Sequence, residues 1–425
     1  MPVEGAPALS AGDAFLLHVA GQAFRPGSPG RIGLAVSGGS DSMAMLHLMA
    51  RAAPHAGWQV HAVTVDHRLR PEAAAEARFV ARACAGLGVP HDTLVWEHGA
   101  VAGNLMDAAR KARYRLIAGW ARAQGISHVG LAHTADDQAE TFLMGLAREA
   151  GLDGLAGMRR DWTEAGIVFG RPFLCQTRAE LRGWLTRNGQ GWVDDPSNDD
   201  DRFTRVKARR ALKALRPLGI TVERLNSVVQ HLAMALSVVD RATAEAADRL
   251  AQEAAGALVL DRNGFGELGP ELSRRLLVAA LRWMSGAGHP PRAASVERVE
   301  AAIRAGRVAT LAGCRIRPSG ADIRLTREPK AVAAATAAPG AIWDHRWHLT
   351  PPEGQEVEGL EIRALGAAGL QACPDWRATG HSRDALLVTP AIWRGDRLIA
   401  APMAGKPAEW TAEIVPSLQR FILSH

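Results

Sequence analysis

Between Gly33 and Leu174, short β-rich runs alternate with longer helical stretches, and this alternation restricts the fold more than any other feature of the chain. The runs GLAV, VHAVTVD, DTLVW, HVGLA and IVFGRPF are separated by segments such as EAAAEARFVARACAGLG and AARKARYRLIAGWARAQG. Such an order predicts βαβ units and a parallel sheet. The apolar runs are almost unbroken, as expected of strands covered by helices on both faces. The predicted fold class is α/β, with a doubly wound parallel sheet.

Downstream the pattern changes. The helical segment TRAELRGWLTRNG is followed by an acidic, Pro-containing turn, Asp194 to Asp201, and then by the basic segment RFTRVKARRALKALR, ending at Arg216. Helical spacing holds over 222–255 and in ELSRRLLVAALRWM and SVERVEAAIRAG, and the β-rich stretch ATLAGCRIRPSGADIRLTRE closes this part. The Ala-rich piece 330–341 carries Pro and Gly but no large apolar side chain, and reads as a linker. The expected division is 1–216 for the α/β domain, 217–329 for a mainly helical domain, 330–341 for the linker and 342–425 for a small α+β module. A chain of 425 residues, 47% hydrophobic and 22% charged, has ample material for more than one core, which excludes disorder and a collagen-like fold.

The first apolar run leads into Ser37-Gly38-Gly39-Ser40-Asp41-Ser42 and then into an apolar helix. Two glycines let the backbone turn tightly and approach a ligand. Successive N–H groups and serine hydroxyls then face phosphate oxygens at the positive end of a helix. Asp41 stands where a carboxylate can hold Mg²⁺ against those phosphates. A strand-to-helix turn capped by Ser and Asp accounts for one or two of these residues, not for all six. Neither the G-x-G-x-x-G fingerprint nor the lysine of G-x-x-x-x-G-K-[ST] is present, so the loop suits gripping a departing pyrophosphate better than transferring a γ-phosphoryl group. The expected chemistry is adenylation.

These residues resemble the signature of the N-type ATP pyrophosphatases, the PP-loop enzymes. The resemblance continues through Val65-Asp66-His67-Arg68-Leu69-Arg70, Ala112-Arg113-Tyr114, and Ala132-His133-Thr134-Ala135-Asp136-Asp137-Gln138-Ala139-Glu140-Thr141. It extends to Gly154-Leu155-Ala156-Gly157-Met158, Arg171-Pro172-Phe173-Leu174 and Asp194-Asp195-Pro196-Ser197-Asn198. In this order and spacing, over about residues 31 to 216, the set is similar to the tRNA(Ile)-lysidine synthases. The resemblance implies a two-step ligation: ATP adenylates carbon 2 of the wobble cytidine in a CAU-anticodon isoleucine tRNA with loss of pyrophosphate, and the ε-amine of L-lysine then displaces AMP. It also implies that 217–329 binds tRNA, and that decoding changes from AUG to AUA.

The same resemblance suggests roles. Ser37, Gly38, Gly39, Ser40, Asp41, Ser42, Asp66, His67 and His133 are expected to bind ATP, with Asp41 also holding the metal. Asp137 and Glu140, three apart on one helix face, are expected from the resemblance to recognise lysine; as a bare pattern they read first as an acid-rich helix start, and otherwise as holding Mg²⁺ or an ammonium. Arg113, Asn198 and Arg209 are candidate substrate contacts, and Arg205 a catalytic cation able to grip phosphate with its fork. Arg110, Lys111, Arg113 and Arg115 suit either a solvated helix face or contact with a phosphate backbone. The family pattern F-x-R-N-R-I-R reads Phe203-Thr204-Arg205-Val206-Lys207-Ala208-Arg209 here, so Lys207 is expected as a cationic substitute, and Val206 and Ala208 stand where the pattern has Asn and Ile.

Cys84, Cys175, Cys314 and Cys373 form no C-x-x-C pair, which argues against zinc, a disulfide framework and the persulfide or iron–sulfur chemistry of 2-thiolating PP-loop enzymes, the nearest rival. The histidines show no H-E-x-x-H or paired spacing, so no metal beyond Mg²⁺ is indicated. A binding module that does not turn over ATP is the remaining alternative, but it leaves the phosphate loop without a purpose. No segment approaches the roughly 18 apolar residues of a membrane span, and MPVEGAPALSAGDAFLLHVAG lacks a basic n-region, so a soluble cytoplasmic protein is expected. A homodimer is an assembly the sequence allows. The net charge of +6 is a thin footprint for a tRNA partner; only five of the 50 basic residues are lysine, and the cations gather at 110–115 and 202–216.

Overall fold

Each apolar run between Gly33 and Leu174 carries a strand in the computed structural model, which describes residues 10–24, 30–68, 72–99, 105–194 and 204–424. The order is α1 (Ala11–Gly21), β1 (Arg31–Ala35), α2 (Ser40–Ala56), β2 (Gln59–Asp66), α3 (Ala73–Leu87), β3 (His91–Val95), α4 (Leu105–Ala123), β4 (His128–Leu131), α5 (Ala135–Leu146), α6 (Leu152–Leu155), β5 (Asp161–Glu164), β6 (Ile167–Gly170), α7 (Arg178–Arg187) and α8 (Thr204–Leu215). The sheet runs β3-β2-β1-β4-β6-β5. Every pairing is parallel except β5 with β6, a hairpin turned through Ala165 and Gly166, both at positive φ. Sequence reading anticipates the parallel strands but not this antiparallel edge, because DWTE lacks the apolar run that marks the others.

The sheet is covered on both faces, and neighbouring residues of one strand show it. Ala62 belongs to a core with Ile32, Leu34, Met45 and Trp184, whereas Val63 belongs to another with Ile117, Trp120, Val129 and Phe169. Successive strand residues point to opposite faces, so these are two separate packing layers. Gly33 sits against the Trp120 ring of α4: a Cβ there would lie 2.9 Å from it. Gly33→Ala should therefore destabilise the domain by about 1–3 kcal/mol through overpacking, read as a lower midpoint in urea; an unchanged midpoint would mean the Trp120 ring moves aside freely.

β2 and β3 lie on one side of β1, and β4 lies on the other. The direction in which strands are added to the sheet reverses there, and open α/β sheets bind ligands at the carboxyl ends of strands flanking such a switch point. The segments after β1 and β4 are the phosphate loop and the His133–Glu140 motif.

The remainder differs from expectation in three places. The chain divides into two compact units at Leu236/Ser237, not at 216/217, because Leu225 and Val229 are buried with Phe142 and Leu212 in a core of the first unit. The helix expected over 222–255 is Val222–Leu250; strands Ala251–Ala254 and Ala257–Asp261 follow, turned through Ala255 and Gly256 at positive φ. They join a five-stranded antiparallel sheet with 309–311, 314–319 and 322–327, so this mainly helical part also carries a sheet. The Ala-rich periodicity continued past the point where the apolar ALVL run needed strand partners.

The piece 330–341 is also more than a spacer. Thr336–Ala337 pairs with Glu361–Ala364 at the edge of a four-stranded sheet, and Val332 is 1% exposed in the core of that module. The second unit closes on itself: Leu418, Phe421 and Ile422, from helix Leu418–Ser424, share a core with Ala244, Leu276 and Ile316. Among the described residues no helix is long and apolar enough to cross a membrane.

Candidate active site

The phosphate loop owes its shape to Gly38 and Ser42. Gly38 adopts φ +90°, which disfavours any side chain, and its carbonyl accepts from the Val193 N–H at 2.9 Å. The Ser42 hydroxyl accepts from the Ser37 N–H at 3.1 Å and donates to the Gly39 carbonyl at 3.0 Å, folding the loop over the first turn of α2. Gly39 precedes that turn with no side-chain cap, so the helix N-terminus faces the loop. From the neighbouring strand, the Thr64 hydroxyl donates to the Val36 carbonyl at 2.8 Å and pins the loop's origin.

Asp41, in the first turn of α2, accepts from the Ser40 hydroxyl at 3.2 Å and from Arg178 Nε at 2.9 Å. Burial pushes its carboxyl above the usual carboxylate range against the pull of Arg178. Ser40 in turn accepts from Arg182 Nε at 3.0 Å.

Across the switch point, Thr134 caps α5. Its N–H and hydroxyl both donate to Asp137 Oδ2, at 2.9 and 3.0 Å, in a capping box. Asp137 Oδ1 is left facing Arg178 at 3.7 Å and Arg205 at 3.9 Å. Burial raises the Asp137 pKa, but Arg178, His133, the Thr134 N–H and Arg205 outweigh it and hold the carboxyl low. Glu140, one turn on, has a side chain only 1% exposed; its Oε1 accepts from Arg209 Nε at 2.6 Å and faces Arg178 at 3.7 Å, while its Oε2 is buried without a hydrogen-bond partner. Burial raises the Glu140 pKa despite Arg209.

His133 Nδ1 lies 3.0 Å from Arg171 Nε, a donor only, so Nδ1 accepts and the ring is neutral. Burial, with Arg171, Arg113 and Arg205 nearby, pulls its pKa down to about 3 against the attraction of Asp137. Arg171 also lies 4.1 Å over the Trp162 ring. The sign of the stability effect follows: the unfolded chain takes up the proton near pH 6.5 and the folded one only near 3, so this contribution is intact above 6.5 and erodes as the pH falls towards 3. His133→Asn should accordingly flatten the loss of thermal stability between pH 7.5 and 5; a slope equal to that of the parent would assign it to other groups.

The structure thus brings together Ser37–Ser42, Asp41, His133, Asp137, Glu140, Arg205 and Arg209. Arg113, on α4, acts electrostatically on His133 and His67 and lies 5.4 Å over the Tyr114 ring. Asp66 and His67 end β2, beside β1; Asp66 accepts from the Arg68 N–H at 2.8 Å, shaping the turn, and burial lowers the His67 pKa. Asn198 lies outside the described residues. Lys207 is exposed beside the inward-facing Val206 and Ala208 and does not join the site, while exposed Lys111 pairs with Asp107 on the solvated face of α4. Arg209 makes a closer contact than Arg205, the cation favoured from sequence. Sequence reasoning missed Arg178 altogether.

A family model described as a PP-loop domain matches residues 17–215. Over 405 residues the chain is 46% identical to a tRNA(Ile)-lysidine synthase of Ruegeria pomeroyi, covering 95% of this chain and 96% of that one. The chain belongs to the tRNA(Ile)-lysidine synthase family. Relatives of the same description from Methylobacterium nodulans (39% over 316 residues, 72% of this chain and 92% of that one) and Brucella canis (33% over 418 residues, 91% and 89%) agree. This lysidine synthase is an ATP-dependent ligase that forms a carbon–nitrogen bond and acts in tRNA modification, and the 2-thiolation reading is set aside.

Proposed function

We propose that this synthase joins L-lysine to carbon 2 of the wobble cytidine of a CAU-anticodon isoleucine tRNA. The cytosine oxygen attacks the α-phosphorus of ATP and pyrophosphate leaves; the lysine ε-amine then attacks carbon 2, and the oxygen departs with AMP. The observation that carries this reading is the opposition of two unlike half-sites across the switch point. A phosphate loop with Asp41 faces the buried Asp137 and Glu140, whose free oxygen suits an ammonium.

In this reading Ser37–Ser42 cradle the pyrophosphate, Asp66 and His67 lie towards the adenosine, and Asp137 and Glu140 orient the amine. His133 and Arg113 adjoin the base, and Arg205 and Arg209 balance charge as the adenylate forms. Mg²⁺ fits the donor set: it takes one or two carboxylates and completes its shell with phosphates and water, and Asp41 supplies such a carboxylate beside the loop. When bound, it would neutralise charge on the phosphates. Pyrophosphate and AMP release measured with ATP, Mg²⁺, lysine and unmodified isoleucine tRNA tests the proposal. Lysine-dependent product is expected; product formation unchanged without lysine would overturn it.

A further inference from the structure

Arg178 is the first residue of α7, following the Thr177 cap. A cation there opposes the helix dipole, so its position calls for compensating partners. It has them on two elements. Nε bonds Asp41 at 2.9 Å and the backbone N–H bonds Asp136 at 2.7 Å, whereas the terminal nitrogens Nη2 and Nη1 only face Asp137 and Glu140, each at 3.7 Å. The guanidinium is therefore anchored on the phosphate side and held loosely on the amine side. Its terminal nitrogens occupy the space between two carboxylates whose other partners, Thr134 for Asp137 and Arg209 for Glu140, approach from different directions.

We infer that Arg178 is a positioning residue that keeps the Asp41 half-site in register with the Asp137–Glu140 half-site and stands in for the substrate ammonium until the amine displaces its terminal nitrogens. Displacement is easy because no hydrogen bond is broken at 3.7 Å, and the Asp41 anchor keeps the side chain at hand. The inference rests on the amine half-site proposed above.

A split between affinity and rate tests it. In Arg178→Gln the competing cation is gone, so the KM for lysine should fall about fivefold, the scale of one partly screened like-charge repulsion. Asp41 loses its anchor, so lysine-independent pyrophosphate release should fall about 10²-fold, as for a misplaced catalytic group. Arg178→Lys should restore much of the rate and return the KM towards the parent value. Calorimetric binding of L-lysine, without turnover, should tighten in the Gln variant, and circular dichroism should show both variants folded. A raised lysine KM with weaker binding in Arg178→Gln, or unimpaired pyrophosphate release, overturns the inference. If the parent enzyme itself forms no lysine-dependent product, it is the amine assignment that fails.

Discussion

Replacing Asp41 by Ala is expected to lower ATP-dependent pyrophosphate release by about 10³-fold, the upper end of what one electrostatic group contributes to a polyphosphate or oxyanion transition state. Stability should change little. Burial holds the Asp41 carboxyl above its usual range even with Arg178 attached, so at neutral pH the ionised group costs the folded state free energy. Its removal leaves Arg178 with the Asp136 carboxylate on its N–H and with Asp137 and Glu140 facing its terminal nitrogens. A carboxylate kept in place against its own desolvation is the pattern of a group retained for function. Pyrophosphate release and a thermal melt on the same sample separate the two effects: retained release would remove Asp41 from the mechanism, and a collapsed melting temperature would make it structural.

Glu140→Gln should act on the other half of the reaction. Gln keeps the shape and an oxygen able to accept from Arg209 Nε, so the 2.6 Å contact survives in neutral form. The negative charge needed to hold an ammonium is lost. Lysine incorporation into tRNA is expected to drop by about 10²–10³-fold, with lysine-independent pyrophosphate release kept within a few-fold because the substitution leaves the phosphate loop untouched. Labelled lysine incorporation set against pyrophosphate release reads the difference. An equal fall in both would place Glu140 on the adenylation side and withdraw its assignment to the amine.

The parts legible from sequence are those encoded locally. The buried strands are short apolar runs, and Ser37–Ser42 carries its geometry in its own glycines and serines; Gly38 has the positive φ that its place in the loop suggests. The pair Asp137 and Glu140 is legible as a spacing, but the capping box that ties up one Asp137 oxygen depends on Thr134, a motif residue to which the spacing alone gives no role. Arg178 and Arg171 come from a segment beyond β6 and meet the site only through tertiary packing. A signal for Arg178 was present nonetheless: in Thr177-Arg178-Ala179-Glu180 the capping box places a cation where helices prefer an acid. The overlong helix past Leu250 and the linker reading of 330–341 fail for a shared reason. Ala-rich composition carries little periodic information, and the strand partners that organise both segments are remote in sequence.

The packing of Leu418, Phe421 and Ile422 into a core begun by Ala244 and Leu250 bears on how the protein is made. On the ribosome the first unit has all its strands and core residues once the chain has passed Leu236, and can fold while the rest emerges. The second unit cannot complete the core that holds Leu276, Leu281 and Ile316 until the helix Leu418–Ser424 has been synthesised. A nascent chain stalled before Leu418 would therefore display a finished catalytic domain joined to an open apolar surface, the form of the protein that chaperones and proteases recognise most readily.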